Sequence, residues 1–204
     1  VLSGSQRGQY DVGVKGAFFG RRLNGSLAAY QLTDTDRAIA DPNNPGASLA
    51  SGEIEVTGVE AEISGAPLPV RVPGWEMFAS YTYMDMQYKK DSANLSYRYY
   101  LPKNMFNVWS KYTFQKGVLE DFHVAGGVNV VGEFYNEYNG LRIEEDGYVT
   151  VDAQVGYLFN DRVEGTFTVT NLFDEKYYER IGTTSTFNFY GQPRTFMAKL
   201  VATF

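Results

Sequence analysis

The sequence predicts an all-β chain of about nine antiparallel strands joined up and down, forming the wall of a transmembrane β-barrel, and three observations point there. Alternate residues of several strand-length segments sort into an apolar set and a polar set. Long and short connections alternate along the chain. The composition, 16 Tyr, 14 Phe and 21 Gly against 2 Trp, favours strands over helices.

In chain order the segments lie near Tyr10–Phe19, Leu23–Asp34, Glu53–Gly65, Trp75–Tyr88, Lys103–Phe114, Phe122–Gly132, Tyr148–Phe159, Val163–Leu172 and Arg194–Phe204. A strand sends successive side chains to opposite faces, so each alternating run separates two surfaces. In "GVEAEISG", Val59, Ala61 and Ile63 oppose Glu60 and Glu62. In "YVTVDAQVGY", Val149, Val151, Ala153, Val155 and Tyr157 oppose Thr150, Asp152, Gln154 and Gly156. Val163, Gly165, Phe167 and Val169 oppose Glu164, Thr166, Thr168 and Thr170, and the last run sets Phe196, Ala198, Leu200, Ala202 and Phe204 against a face carrying Lys199.

The connections Thr35–Gly52, Gln87–Pro102, Glu133–Gly147 and Phe173–Pro193 are long; those at Gly20–Arg22, Ala66–Gly74, Gln115–Asp121 and Asn160–Asp161 are shorter. In a meander every long loop then falls at one rim and every turn at the other, the asymmetry of bacterial outer-membrane barrels, with the C-terminus at the short-turn, periplasmic rim. A soluble β-sandwich or adhesin domain is the alternative, its apolar faces meeting across a core. Tyr81, Tyr83, Tyr112 and Tyr157, near strand ends, suit the aromatic girdles of a barrel.

Composition excludes several functions. The absence of cysteine rules out disulfides, zinc-thiolate sites and thiol nucleophiles. A net charge of −6 with no basic run argues against nucleic acid. Residues 1–15 carry no export signal, which leaves a chain that is not exported or a piece of a longer one. His123 is the only histidine and has no partner in sequence for a Ser/His or Asp/His mechanism, so it is expected to be a polar-face residue. "DTDRAIADPNNP" begins like a calcium loop at Asp34 and Asp36 but lacks the glycine and glutamate that such a loop requires, and it is expected to be a solvated loop. "EEDG", Glu144–Gly147, is expected to be a turn.

The stretch "VTNLFDEKYYERIG" followed by "FYGQPRTFMAKLVATF" resembles the C-terminal end of TonB-dependent outer-membrane receptors. The resemblance rests on the N-L-F-D-x-x-Y motif (Asn171, Leu172, Phe173, Asp174, Tyr177), the G-x-P-R-like entry to the last strand and the terminal Phe204. "YDVGVKGAFFGRRLNGSLAAY", "VTGVEAEISG", "GWEMFASYTYMD", "LPKNMFNVWSKYTF" and "VAGGVNVVGEFY" are similar to the same family in the same order, and "GVEAEISG", "YTYMD" and "YGQPR" look closest to ferric-siderophore receptors. The resemblance implies that residues 1–204 are the C-terminal portion of a 22-stranded barrel, without its plug domain, TonB box and N-terminal strands. It also implies a transporter rather than an enzyme, in the outer-membrane lipid, working with the TonB complex, with Phe204 as the signal read by the barrel-assembly machinery. Other substrates of such receptors, cobalamin, haem or an oligosaccharide, remain alternatives; a haem receptor would be expected to carry loop histidines, which these loops lack.

A ferric siderophore encloses its own iron, so no cofactor or metal ligand is expected; aromatic surface and a few cations suffice. "YRYY", "FYNEYNGLR" and "YYER" supply both, and Arg98, Tyr99, Tyr138, Arg142, Tyr178 and Arg180 are the candidate ligand contacts. The competing expectation is that these tyrosines pack on one another or lie in the outer girdle, and that the arginines stay solvated or bind lipopolysaccharide phosphates.

Overall fold

The computed structural model describes residues 4–41, 43–44, 46–90, 97–138 and 140–204, with backbone alone at residues 40, 97 and 138. Nine strands form one antiparallel sheet: β1 (Gln6–Phe18), β2 (Leu23–Ala40), β3 (Ser48–Gly65), β4 (Trp75–Lys90), β6 (Asn104–Thr113), β7 (Phe122–Val131), β10 (Tyr148–Asn160), β11 (Val163–Thr170) and β14 (Thr195–Ala202). Among the described residues, five short strands lie in the connections: β5 (Tyr97–Tyr100), β8 (Phe134–Tyr138), β9 (Leu141–Glu145), β12 (Tyr178–Arg180) and β13 (Phe189–Tyr190).

Two neighbouring rows of cross-strand partners display the design. One row runs Val14, Leu27, Ala61, Tyr81, Phe106, Val130, Val149; the next runs Lys15, Ser26, Glu62, Ser80, Asn107, Asn129, Thr150. The first is wholly apolar and the second wholly polar across the same strands. Among the described residues no second sheet covers the apolar row: Val14 stays 69% exposed and Val149 50%. A sandwich would bury these side chains, so the sheet is a single layer whose apolar face is built to meet lipid. The buried apolar residues Leu23, Ile54, Met86, Phe134 and Ile181 include none of this row.

Strands β2, β3 and β4 are 18, 18 and 16 residues long, more than the about 9–11 that a membrane strand requires. The excess lies on the long-loop side, where the outer face changes character. Above Tyr81 and Tyr83 it carries Gln31, Thr57 and Asp85 in one row and Thr33, Glu55 and Gln87 in another. Lys89 meets Glu55 at 2.9 Å, Lys90 meets Glu53 at 2.7 Å and Lys103 meets Asp85 at 2.6 Å. The Lys103 hydrogen bond, followed by that of Gln87, holds the Asp85 carboxyl below its ordinary range, as expected for ion pairs in water. This is the upper edge of the lipid band, and Trp75–Tyr83 below it has the length of a membrane strand.

The connection expected at Thr35–Gly52 is therefore mostly strand. β2 and β3 climb through it, with register shifts near Asp34–Ala38, and leave only residues 41–47 between them. Asp34 and Asp36 lie within β2, not in a loop. Two other long connections pair their short strands as β5-β8-β9, and the last pairs β12 with β13. Such runs of two to five residues are too short for periodicity to reveal.

Phe167 lies on the outer face between Val155 and Ala198, and Thr168 on the inner face, where its hydroxyl accepts a hydrogen bond from Gln154. In the full-length barrel, Phe167→Arg is expected to cost about 2–4 kcal/mol near mid-bilayer, and Thr168→Arg only the lost hydrogen bond, about 1 kcal/mol. Unfolding in liposomes measures both; equal tolerance would contradict the assignment of faces.

Candidate functional site

Above the membrane edge the inner face is apolar and aromatic where the outer face is charged. The β3–β4 register places Ile54 beside Tyr88 and Val56 beside Met86 on this side. Tyr88 meets Tyr100 edge-on at 5.6 Å, Tyr100 stacks on Tyr135 at 4.3 Å, and the Arg142 guanidinium lies 3.9 Å over the Tyr135 ring. Met86, Tyr100, Lys103 and Tyr135 line a cavity of about 170 Å³ beside this stack. Tyr88 is tied to the backbone of Tyr99 in both directions at 3.2 Å, which fixes β5 to the rim of β4.

Registers in the β5-β8-β9 sheet put Arg98, Glu137 and Arg142 on one face and Tyr99, Asn136 and Ile143 on the other. On the first face Arg98 meets Glu137 at 3.4 Å, and Arg142 meets Glu144 at 2.7 Å. The second face docks the last long loop. Asn136, 3% exposed, donates from its amide to the carbonyls of Ile181 and Gly182, and Glu145 accepts the backbone N–H of Tyr178. Tyr178 stacks on Tyr190 at 4.5 Å with their hydroxyls 3.0 Å apart, and that hydrogen bond pushes the Tyr178 phenol up. Arg180 lies 6.0 Å over Phe189.

The six candidate contacts are thus not one cluster. Arg98 and Arg142 share a sheet face, Tyr99 lies on the opposite one, and Tyr178 and Arg180 belong to the docked β12–β13 hairpin. The side chain of Tyr138 lies outside the described residues. Of the candidate tyrosines, Tyr178 packs on another tyrosine, Tyr190. Tyr88 and Asn136 were missed: Tyr88 reads as an ordinary strand residue, and only the fold brings Asn136 to a segment 45 residues away.

The N-L-F-D-x-x-Y motif is the base of this loop. Asn171, 1% exposed and at φ 52°, donates to the carbonyls of Glu175 and Gln192 and accepts the N–H of Glu175. Its own N–H goes to Asp152 on the inner face of β10. Asp174, at φ 57°, accepts the N–H of Arg194, whose guanidinium donates to the Leu172 carbonyl. Tyr177 stacks on Tyr148 at 3.8 Å, and a Cβ on Gly191 would stand 2.0 Å from the Tyr177 ring. A larger residue there would have to push the Tyr177 ring off Tyr148, which fits glycine's place in "YGQPR". Phe173 is exposed and Phe204, beyond β14, fully so.

His123 is buried on the inner face of β7, 3.7 Å from Glu164 and against Gly156, where a Cβ would come within 2.3 Å of its ring. No cluster of His, Cys, Asp and Glu suited to a metal ion occurs among the described residues.

A one-layer sheet with an apolar exterior, a polar inner face and loops folded over one rim defines a section of outer-membrane barrel wall. Residues 9–172 match the family described as TonB dependent receptor-like, beta-barrel, and the chain belongs to that family of outer-membrane receptors. It is 31% identical over 203 residues to the ferric-pyoverdine M114 receptor PbuA of Pseudomonas sp. (strain M114), covering 96% of this chain and 24% of that protein. It is 34% identical over 200 residues to the ferrichrome outer membrane transporter/phage receptor of Escherichia coli (strain K12), covering 94% and 25%. Among solved structures, the pyoverdine outer membrane receptor FpvA from Pseudomonas aeruginosa PAO1 superposes with a TM-score of 0.79 at 28% identity, over 100% of this chain and 30% of that one. The chain spans about a quarter of the length of these curated relatives.

Asn171→Ala would leave two carbonyls and an N–H at the loop base without their partner, a cost of about 1–3 kcal/mol felt locally. Limited proteolysis of the full-length receptor is expected to cut within residues 171–194 faster in this variant, with the strands still protected. Unchanged cleavage would show that the motif does not hold the loop.

Proposed function

We propose that the chain forms part of the wall and long-loop rim of an outer-membrane receptor that takes up a ferric siderophore with energy from the TonB complex. The observation that carries this reading is the stack of Tyr88, Tyr100, Tyr135 and Arg142 above a polar inner face. Aromatic rings with a guanidinium offer dispersion surface and a charge-assisted donor to a chelate whose iron is already enclosed. Relatives that match nearly the whole chain are named as receptors for ferric pyoverdine and as a ferrichrome transporter, and they support the same reading. Transport, not catalysis, is the role assigned.

The charge distribution makes local cations necessary. A chain of net charge −6 does not attract an anionic chelate through its overall field. Arg98, Arg142 and Arg180 are the rim cations proposed to meet carboxylate or hydroxamate oxygens, Arg142 with Tyr135 beneath it and the other two across the β5-β8-β9 sheet and the β12–β13 hairpin.

Changing these arginines to alanine one at a time in the full-length receptor is expected to weaken ferric-siderophore binding for at least one, by about 1.5–3 kcal/mol if the lost bond is desolvated. Thermal stability is expected to stay nearly constant, because these positions lie in the loop layer. Titration with ferric hydroxamates, catecholates and pyoverdine-like chelates measures the effect. Binding of none of them, alongside tight binding of cobalamin or an oligosaccharide, would overturn the siderophore reading.

A further inference from the structure

The opposite rim carries a second surface feature. The β1–β2 turn, residues 19–22, and the β3–β4 connection, residues 66–74, adjoin through a 2.7 Å hydrogen bond from the Ala66 N–H to the Arg22 carbonyl. Between them lies a cleft of about 680 Å³ lined by Phe19, Arg22, Leu68, Val70 and Arg71 together with flanking glycine and prolines. Phe19 and Arg21 hold left-handed φ values of 53° and 69°, an uncommon conformation for side chains of this size. Phe19 is 59% exposed and Val70 88%.

The chemistry of the cleft is amphipathic and cationic. Arg21, Arg22 and Arg71 are the charged residues of the two segments, which contain no acid. None of the three forms an ion pair among the described residues. The two segments join strands at their lipid-facing side: Phe18, which precedes the first, lies on the outer face, and Trp75, which follows the second, donates to Ser110 on the outer face of β6. Around the same rim Tyr112, Phe114, Phe122, Tyr157 and Phe159 form the aromatic girdle. Aromatic side chains mark the headgroup level, and unpaired arginines at that level attract phosphate.

We infer that this cleft is a docking site for an anionic phospholipid of the inner leaflet of the outer membrane, with Arg22 and Arg71 meeting its phosphate and Phe19, Leu68 and Val70 its apolar part. The inference rests on the membrane orientation of the proposed receptor, not on its ligand. Charge complementarity and the flanking outer-face residues Phe18 and Trp75 name the occupant.

The test is native mass spectrometry of the purified full-length receptor, delipidated and then titrated with phosphatidylglycerol, phosphatidylethanolamine or free glycerol phosphate. The wild type is expected to retain phosphatidylglycerol over phosphatidylethanolamine, and the Arg22→Ala/Arg71→Ala double variant to lose that retention by about tenfold or more. Arg162→Ala, in another short turn, should retain it; heat-dependent gel migration checks that each variant is folded. Undiminished phosphatidylglycerol binding in the folded double variant, no preference between the lipids, or full competition by glycerol phosphate would overturn the inference. Unchanged lipid retention with loss of energised uptake would assign the cleft to a protein partner, also overturning it. Ferric-siderophore binding is expected to be the same in all these variants, so its failure would bear on the loop rim and not on the cleft.

Discussion

The structure depends on one constraint: in lipid every backbone N–H and C=O must find its partner within the protein. A single antiparallel sheet meets it by pairing each strand with its neighbours, and the side chains are then free to differ on the two faces. That is why a chain of mean hydropathy −0.31 can cross a membrane, since only alternate residues need be apolar. The row from Val14 to Val149 and its polar neighbour from Lys15 to Thr150 express this division across seven strands. The same constraint bears on β1 and β14, each with one neighbour in the described sheet, whose free edges would be paired by further strands in a closed barrel.

Where the strands rise out of the lipid the solvent changes, and the polarity of the faces inverts. Charged pairs such as Lys89–Glu55 and Lys103–Asp85 occupy the outer face, while Ile54, Met86 and Tyr88 turn inward to meet the loops. Two buried asparagines help to hold the loops as a layer. Asn171 closes the base of the last loop on β10, and Asn136 fastens its middle to β8. A site built from such loops is positioned by the strands beneath it, which fits a rim that presents aromatic rings and cations over a polar interior.

The sheet was legible because its signal is periodic. All nine strand-length segments are strands, several of them marked by alternation, and Tyr148–Asn160 and Val163–Thr170 match within two residues. The loop layer was not, because its strands are too short to show a period and its contacts are distant in sequence. The Thr35–Gly52 segment misled for a related reason: Asp, Arg and Pro suggest a loop, yet above the membrane a strand can be charged on its outer face. The residues of the N-L-F-D-x-x-Y motif were recognised by resemblance alone. Their physical role, in the hydrogen bonds of Asn171 and the stacking of Tyr177 on Tyr148, required the fold.

The inversion of polarity along a single strand is most directly tested on β3, which lies between β2 and β4 and so keeps both neighbours. Spin labels placed singly at Ile63, Ala61, Val59, Glu55 and Glu53, all on the outer face, would be compared in the full-length receptor in bilayers for collision with oxygen and with a water-soluble nickel chelate. Oxygen contact is expected to dominate at Ile63, Ala61 and Val59, and nickel contact at Glu55 and Glu53. Oxygen-dominated contact continuing through Glu55, or nickel access at Ala61, would contradict the placement of the membrane edge and with it the division of the sheet into lipid-facing and water-facing parts.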